Sequence, residues 1–266
     1  MTGAGRMPGA GVTDTDGRPW TLAGDPDPVE WVNPDSDFPV LLVCEHAGQA
    51  IPSQLEGLGL PEGAVDLHIG WDIGVEPLAR AVAADLGAPL ILQRYSRLVI
   101  DCNRPPGADS SIPEISDHVP VPGNRRLDPG EREQRKRLIF DPLDAAFAEG
   151  FARAPRKAAF SIHTYTRRMT GGENRRWDAG FLCRRDMATA QALMDHVARA
   201  APELQLAINE PYRIEDDGDW FIPHHAEPRG VRHSLIEVCN DQVGTKAQSA
   251  RWAGLLSGAI RSVLAG

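Results

Sequence analysis

The apolar residues of this chain occur in short runs separated by longer amphipathic stretches. The runs typical of buried strands are residues 39–43, 90–92, 98–100, 160–162, 181–182 and 234–236. One helical face in the stretch that follows the first run consists of Val75, Leu78, Val82 and Leu86. Gly87 then supplies a helix stop signal. This alternation of strands and helices predicts an α/β fold.

The middle of the chain combines a proline-rich segment with a helix signal. Residues 102–128 contain too many prolines for a regular element, so they predict a long loop, and loops of this length are often functional. Asp128 followed by Pro129 is typical of a helix N-cap, and the pattern predicts a helix that runs toward Glu149 with an interruption near Pro142.

Two more helices are predicted in the C-terminal half, over residues 187–200 and 245–264. The second begins with Thr245 and Gln248, which form a capping-box signature. Its apolar stripe predicts that it packs on the sheet.

The N-terminal segment differs in composition from the rest of the chain. Residues 1–36 are rich in glycine, aspartate and proline, with scattered apolar residues such as Trp20 and Trp31. This composition predicts an extended or partly disordered arm, followed by a single α/β domain over residues 37–266.

Composition and charge restrict the partners. A hydrophobic fraction of 42% can fill a sizeable core, and a net charge of −9 gives no broad cationic surface for nucleic acid or anionic membranes. The sequence shows neither a long apolar run nor a signal peptide, so we predict a cytoplasmic location. The four cysteines form no CxxC pair and are predicted to be reduced. No pattern indicates the oligomeric state.

Three of the predicted strands lead into a residue that can bind a metal or transfer a proton. His46 follows the run at 39–43, His163 follows 160–162 and Glu237 follows 234–236. Because ligands bind at the carboxyl ends of strands in α/β sheets, these residues predict one shared site. Imidazole and carboxylate groups are the ligands of hydrolytic zinc sites, which also need a carboxylate base.

Each of these residues also has a structural alternative. His46 could cap a loop through a hydrogen bond, and Asp72, which precedes the first clear helix, could be its N-cap. Glu237 could form an ion pair with an arginine, because a free carboxylate in an apolar strand is costly to bury. The sequence alone leaves both interpretations open.

Two arginines flank the run at residues 98–100. Arg97 and Arg104 could border one pocket and bind a carboxylated substrate through their guanidinium forks, or either could hold Asp101 or Glu237 in place. Signals of nucleophilic hydrolases are absent from the sequence, since it contains no G-x-S-x-G elbow and no cysteine in a protease-like context.

Six motifs together resemble the N-formylglutamate amidohydrolase family. They are VCEHAG at 43–48, WDIG at 71–74, SRLVIDCNRP at 96–105, SIHTYT at 161–166, NEPY at 209–212 and IEV at 236–238. The resemblance spans residues 38–262 and implies a zinc-dependent hydrolase with a three-layer α/β/α sandwich around a mixed, mostly parallel sheet, similar to zinc carboxypeptidases. Two departures are Cys239, where the family pattern leads us to expect an arginine, and Tyr165 in place of a phenylalanine.

The resemblance also implies roles for individual residues. His46, Asp72 and His163 are the expected metal ligands, and Glu237 is the expected catalytic carboxylate. Arg97 or Arg104 would assist catalysis. Further candidates for substrate binding are Asp101, Asn103, Arg175, Asn209, Glu210, Tyr212 and His225.

The implied reaction is removal of a formyl or other small acyl group from a small acidic acylamino acid, above all N-formyl-L-glutamate. One alternative is a zinc peptidase or peptidoglycan amidase with the same metal site. The other is a non-catalytic protein with a structural metal held by four ligands and no open position.

Overall fold

The computed structural model of this protein describes residues 20–216 and 218–266. The strands are β1 (Val29–Val32), β2 (Val40–Cys44), β3 (Leu90–Gln93), β4 (Ile115–Ser116), β5 (Val119–Pro120), β6 (Ala158–Tyr165), β7 (Ala179–Leu182), β8 (Leu206–Ile208) and β9 (Arg232–Cys239). The α-helices are α1 (Val75–Leu86), α2 (Pro129–Arg135), α3 (Asp141–Ala152), α4 (Met187–Ala200) and α5 (Lys246–Ala265).

A seven-stranded mixed sheet forms the centre of the molecule, with the order β1-β3-β2-β6-β9-β7-β8. β3, β2, β6 and β9 run parallel, as do β7 and β8, whereas β1 and β7 are antiparallel to β3 and β9. The mixed, mostly parallel sheet is therefore confirmed. The short strands β4 and β5 form a separate antiparallel hairpin within the predicted long loop.

Apolar residues from alternate strand positions fill two cores, one on each face of the sheet. On one face Leu42 packs with α1, α4 and α5, and Trp252 and Leu256 of α5 are among the buried side chains. On the other face Leu41 packs with α3, and Phe147 is fully buried. Helices on both faces confirm the three-layer α/β/α architecture.

The strongest helix signals agree with the structure. α1 ends at Leu86, and Gly87 has the left-handed φ of 66° that favours glycine in a C-cap. α4 covers the predicted residues 187–200, and the Thr245 side chain caps α5 by accepting a hydrogen bond from the backbone N–H of Gln248.

The predicted interruption of the helix after Asp128 is also present. The Asp128 carboxylate accepts hydrogen bonds from the backbone N–H groups of Gly130 and Glu131 and so caps α2. A π-helical turn, Lys136–Phe140, separates α2 from α3. Pro142 lies in the first turn of α3 and lacks the N–H that a continuous α-helix would use there.

The predicted strand at residues 98–100 was wrong. Leu98, Val99 and Ile100 are fully buried, but they lie in a turn and the segment after it rather than in a strand. Side chains from other segments provide hydrogen bonds to the backbone carbonyls of this turn. Asn124 donates to the Leu98 carbonyl and Arg135 donates to the Val99 carbonyl. An apolar run indicates that its residues are buried, but burial alone does not distinguish a strand from a buried turn.

The N-terminal segment divides into two parts. Residues 1–19 lie outside the described residues, so the prediction of an arm is not addressed there. Trp20 is only 2% exposed in the core, and β1 pairs with β3 through Val29 and Trp31. Within the segment predicted to be an arm, residues 29–32 are thus an edge strand. Among the described helices, none has the length and apolar character of a membrane span.

Candidate metal centre and cavity

The candidate site lies where three neighbouring parallel strands end. His46 follows β2, His163 lies near the carboxyl end of β6, and Glu237 lies at the matching position of β9, with the Cα atoms of His163 and Glu237 in register. Since β2, β6 and β9 are adjacent and parallel, their carboxyl ends meet at one edge of the sheet. The sheet topology thus brings together residues that are far apart in the sequence.

His46, Asp72 and His163 form a buried cluster at this edge. Each offers one possible ligand atom, and these atoms lie within 4.8 Å of one another. His163 Nδ1 is 2.8 Å from Asp72 Oδ2, and His46 Nδ1 is 3.5 Å from Asp72 Oδ1. The two imidazole rings meet edge to face, with centroids 4.8 Å apart. The Nδ1 atoms of both histidines therefore converge on the same carboxylate.

The opposite ring nitrogens are held by two further carboxylates. His46 Nε2 lies 2.7 Å from Asp101 Oδ1, and His163 Nε2 lies 3.1 Å from Glu45 Oε2. Ser161 Oγ donates to Glu45 Oε2 at 2.6 Å and also contacts His163 Nε2 at 2.8 Å. Carboxylates that orient the free nitrogen of metal-binding histidines are a recurrent feature of metal sites.

The residues fit a metal ion better than the structural alternatives. Asp72 does not cap α1, because the N-cap residue is Gly74 and no side chain bonds there. His46 Nδ1 is buried without a hydrogen-bond partner among the described residues. Two imidazole nitrogens and one carboxylate oxygen are a typical donor set for zinc.

Opposite charges stabilise each other in this buried cluster. Burial by itself would raise the pKa of Asp72, but His46 and His163 outweigh it and hold that pKa well below its usual range. Burial would lower the pKa of His163, yet the carboxylates of Glu45 and Asp72 raise it. The cluster thus carries negative charge that a proton or a metal cation can balance.

Glu237 is buried without a compensating partner. The residue is 7% exposed, and its Oε2 atom is buried with no hydrogen bond to any described residue. Burial, assisted by the Asp72 charge and opposed by His163 and Arg97, raises the pKa of Glu237 to about 8. No ion pair between an arginine and Glu237 is present in the described part of the chain, so the structural alternative receives no support.

The two arginines of the SRLVIDCNRP motif differ in their contacts. Arg97 donates from Nε to Asp101 Oδ2 at 3.0 Å, and its Nη1 is 3.4 Å from Asp72 Oδ1. Arg104 stays 3.9 Å from Asp101 and 4.0 Å from Asp219. Arg97 is therefore fixed beside the His46–Asp72–His163 cluster, whereas Arg104 keeps most of its hydrogen-bonding capacity.

A cavity of about 800 Å³ opens over the cluster. The residues with sequence-predicted roles that line it are His46, Asp72, Arg97, Asp101, Asn103, Arg104, His163, Tyr212 and Glu237. Asp219, for which no role was predicted, also lines the cavity and accepts a hydrogen bond from the Asn103 side chain at 3.0 Å. The structure thus brings the metal, catalytic and several substrate-binding candidates together, and their roles stay predictions.

Four other candidates lie outside the cavity lining. His225 Nε2 is 2.7 Å from Asp144, and its ring packs against Phe147. Asn209 Oδ1 accepts a hydrogen bond from the backbone of Cys183, and the adjacent residue Glu210 presents its backbone carbonyl to Gly180. Arg175 reaches the cavity only through a neighbour, Tyr212.

The sequence position where we expected an arginine is filled by the buried Cys239. Arg167 pairs with Asp241, two residues further on, and with Asp178. Burial, the largest influence, raises the pKa of the Cys239 thiol to about 11. The guanidinium of Arg167, two residues after the end of β6, thus contacts a residue that is close to Cys239 in the sequence.

Two of the residues to which no role was predicted, Glu45 and Ser161, lie in motifs that the sequence analysis had already identified. Glu45 immediately precedes His46, and Ser161 lies two residues before His163. Their contacts with each other and with His163 could be identified only once the order and direction of the strands were known. Asp219 comes from a distant segment that carries no motif. The fold and the site together define a three-layer α/β/α protein with a candidate metal centre at the carboxyl edge of its sheet.

Comparisons with known proteins identify the family. The N-formylglutamate amidohydrolase family profile matches residues 38–243. The solved structure of gene product Atu2144 from Agrobacterium tumefaciens is 33% identical, with a TM-score of 0.86 over 92% of this chain and 98% of that chain. N-formylglutamate amidohydrolase from Ralstonia eutropha JMP134 is 21% identical, with a TM-score of 0.68 over 88% of this chain and 97% of that one. No curated protein matches significantly.

The chain belongs to the N-formylglutamate amidohydrolase family. The resemblance inferred from the six sequence motifs is thereby confirmed, and the family assignment makes the protein an amidohydrolase.

Proposed function

We propose that this protein is a metal-dependent deformylase that hydrolyses N-formyl-L-glutamate to formate and L-glutamate. The observation that carries the proposal is the convergence of His46, Asp72 and His163 beside the unpartnered carboxylate of Glu237 at one cavity. Family membership supports the same reaction.

His46, Asp72 and His163 would hold the metal, which we propose to be zinc. Bound there, a zinc ion supplies Lewis acidity, which lowers the pKa of a water molecule and polarises the substrate carbonyl. The described cluster contains three ligand residues rather than four. Three protein ligands are the number found in catalytic zinc sites, which distinguishes this proposal from a purely structural metal.

Glu237 would act as the general base and then as the general acid. Its Oε2 atom would accept a proton as water attacks the formyl carbon, and the same atom would return that proton to the departing amine. Burial raises the pKa of Glu237 to about 8, and a neighbouring divalent cation would favour the ionised form that the base requires.

Arg104 would bind a carboxylate of the substrate. Its guanidinium lines the cavity and makes no ion-pair contact closer than 3.9 Å among the described residues. Asn103 and Asp219, joined by a 3.0 Å hydrogen bond, lie beside it and would fix the position of the loop. Arg97 is bonded to Asp101 and close to Asp72, so it would maintain the geometry around the metal.

The test is metal analysis of the purified protein followed by assay against a panel of N-formyl and N-acetyl amino acids. We expect bound zinc, release of formate from N-formyl-L-glutamate, and much weaker turnover of N-formyl-L-leucine. His46→Ala and His163→Ala should lower the metal content. Absence of turnover from the whole panel in metal-loaded protein would contradict the proposal.

The cavity volume favours a second candidate function. A cavity of about 800 Å³ is in the range that accommodates drug-sized ligands, so it has room for more than one acylamino acid. This size supports a peptidase or peptidoglycan-type amidase that uses the same site. N-acetylated dipeptides and a muramoyl peptide in the same panel distinguish the two, because the deformylase should prefer the single amino acid.

A further inference from the structure

The three tyrosines of this chain use their hydroxyl groups differently. Tyr95 donates its hydroxyl proton to the backbone carbonyl of Pro26 at 2.6 Å, and Tyr165 donates to the carbonyl of Trp177. The Tyr212 hydroxyl instead receives a hydrogen bond from Arg175 Nη1 at 2.7 Å. A guanidinium group has no acceptor, so Arg175 cannot take the Tyr212 proton.

The proton of Tyr212 is therefore available for another acceptor. The described residues offer the Tyr212 hydroxyl no acceptor, and the side chain lines the cavity with 41% of the residue exposed. Burial and then the Glu237 carboxylate raise the pKa of Tyr212, while Arg175 and Arg97 act in the opposite direction. The hydroxyl thus keeps its proton at neutral pH and lies within electrostatic reach of Glu237 and Arg97.

Arg175 is itself fixed by the segment that follows β6. Its Nη1 also donates to the carbonyl of Thr166 at 3.2 Å, and its backbone N–H donates to the carbonyl of Arg167 at 2.9 Å. Its guanidinium carbon is 5.8 Å from the ring centroid of Tyr165 and 4.8 Å from that of Tyr212. A donor bound to the phenol oxygen makes the phenol a stronger donor in turn, because hydrogen bonds in a chain polarise one another.

We propose that the Tyr212 hydroxyl donates a hydrogen bond to the carbonyl oxygen of the scissile amide as negative charge develops on that oxygen, and that Arg175 is the positioning residue for this hydroxyl. The proposal rests on the proposed function and adds an oxyanion donor that comes from the protein. Tyr212 keeps its proton throughout, so no bond to it is made or broken. The role suits Tyr212 better than Arg97, whose guanidinium is already bonded to Asp101.

The first test is Tyr212→Phe, which removes the hydroxyl and keeps the ring. We expect kcat to fall by about 10²-fold, the loss typical of one oxyanion donor, with KM nearly unchanged. Tyr95→Phe is the matched control, because Tyr95 does not line the cavity and its hydroxyl binds the Pro26 carbonyl, so its kcat should equal that of the wild type. A raised KM with unchanged kcat in Tyr212→Phe would show a ground-state contact and overturn the proposal.

The second test is a double-mutant cycle with Arg175→Met. Alone, this substitution should lower kcat by a smaller factor than Tyr212→Phe, because the phenol remains but is less well oriented. Combined with Tyr212→Phe it should cause no further loss, since Arg175 acts through the hydroxyl. An equal loss from Arg175→Met in both backgrounds would overturn its role as a positioning residue.

A binding measurement separates this proposal from the proposed function. The probe is an N-acylglutamate analogue with a phosphonyl group in place of the acyl carbonyl, titrated by calorimetry into metal-loaded protein. Tyr212→Phe should weaken binding of this analogue about 10- to 100-fold and leave binding of L-glutamate unchanged. Equal binding of the analogue by both proteins would overturn the Tyr212 assignment. Wild-type protein that binds metal but hydrolyses nothing would sink the proposed function, and the analogue result would still decide the role of Tyr212.

Discussion

At the scale of residues, the candidate centre is defined by which nitrogen of each histidine faces which carboxylate. Both Nδ1 atoms face Asp72, while the Nε2 atoms of His46 and His163 face Asp101 and Glu45. In metal sites such outer carboxylates fix the ring orientation and increase ligand basicity, so Asp101 and Glu45 would affect the affinity for a metal bound at this centre.

Replacement of Glu237 by glutamine tests its role as the base. The substitution keeps the shape of the side chain but removes the group that accepts a proton, so we expect kcat to fall by about 10²- to 10⁴-fold. Metal content should stay at the wild-type value, because Glu237 is not one of the three clustered ligand residues. Steady-state kinetics and metal analysis check both points, and wild-type turnover would remove Glu237 from the mechanism.

Glu45→Gln tests the outer carboxylate of His163. The amide of glutamine cannot stabilise the His163 ring as a carboxylate does, so we expect metal affinity to fall about 10- to 100-fold. Competition with a chromophoric chelator measures the affinity. Glu114→Gln is the control, because Glu114 lines the same cavity without contacting either histidine. Unchanged affinity in Glu45→Gln would show that Ser161 alone suffices to orient His163.

At the scale of elements, the loop after β2 places His46 through a close backbone contact. Gly48, two residues after His46, lies against the backbone carbonyl of Arg94, and a Cβ atom at this position would overlap that carbonyl. Nearby, the Ala50 N–H donates to the Arg94 carbonyl and the Ser96 N–H to that of Ala50. This glycine is therefore required for packing of one loop against another.

Gly48→Ala should consequently be destabilising. The added methyl group forces the two loops apart, and we expect a loss of about 1–3 kcal/mol in the free energy of unfolding together with weaker metal binding. Chemical denaturation measures the first effect. Gly107→Ala is the matched control, because a Cβ at Gly107 meets nothing within 4 Å. Equal stability of the two variants would contradict the close contact at Gly48.

At the scale of the whole molecule, the candidate centre joins segments that span much of the chain. His46, Asp72, His163 and Glu237 belong to the loop after β2, the segment before α1, β6 and β9. A ligand held by residues from several elements binds the folded state but not the unfolded chain, so its binding free energy adds to stability.

Removal of the metal should therefore lower the melting temperature. At a free metal concentration of 100 times Kd, binding adds about 2.7 kcal/mol, which corresponds to roughly 5–10 °C for a protein of this size. Scanning calorimetry with and without a chelator measures the difference. The His163→Ala variant should show no such shift, and an equal shift in that variant would place the metal elsewhere.

The sequence by itself determined the class of the fold and singled out residues that the fold brings together as a candidate site. Periodic apolar positions predicted α1, α4 and α5 correctly, because a helix buries one face at a fixed spacing whatever its neighbours are. His46, His163 and Glu237 could be singled out because a polar residue at the end of a buried apolar run costs free energy unless a hydrogen bond, a charge or a ligand compensates it.

Only the tertiary structure decided which side chains meet. The turn at residues 98–100 was missed because its carbonyls are paired not with a neighbouring strand but with the side chains of Asn124 and Arg135, which come from distant positions. In the same way, Asp219 reaches Asn103, and Arg175 reaches Tyr212, across long stretches of sequence. A local sequence pattern indicates whether a residue is buried. Which side chain it contacts depends on strand order and loop packing, and the chain acquires both only on folding.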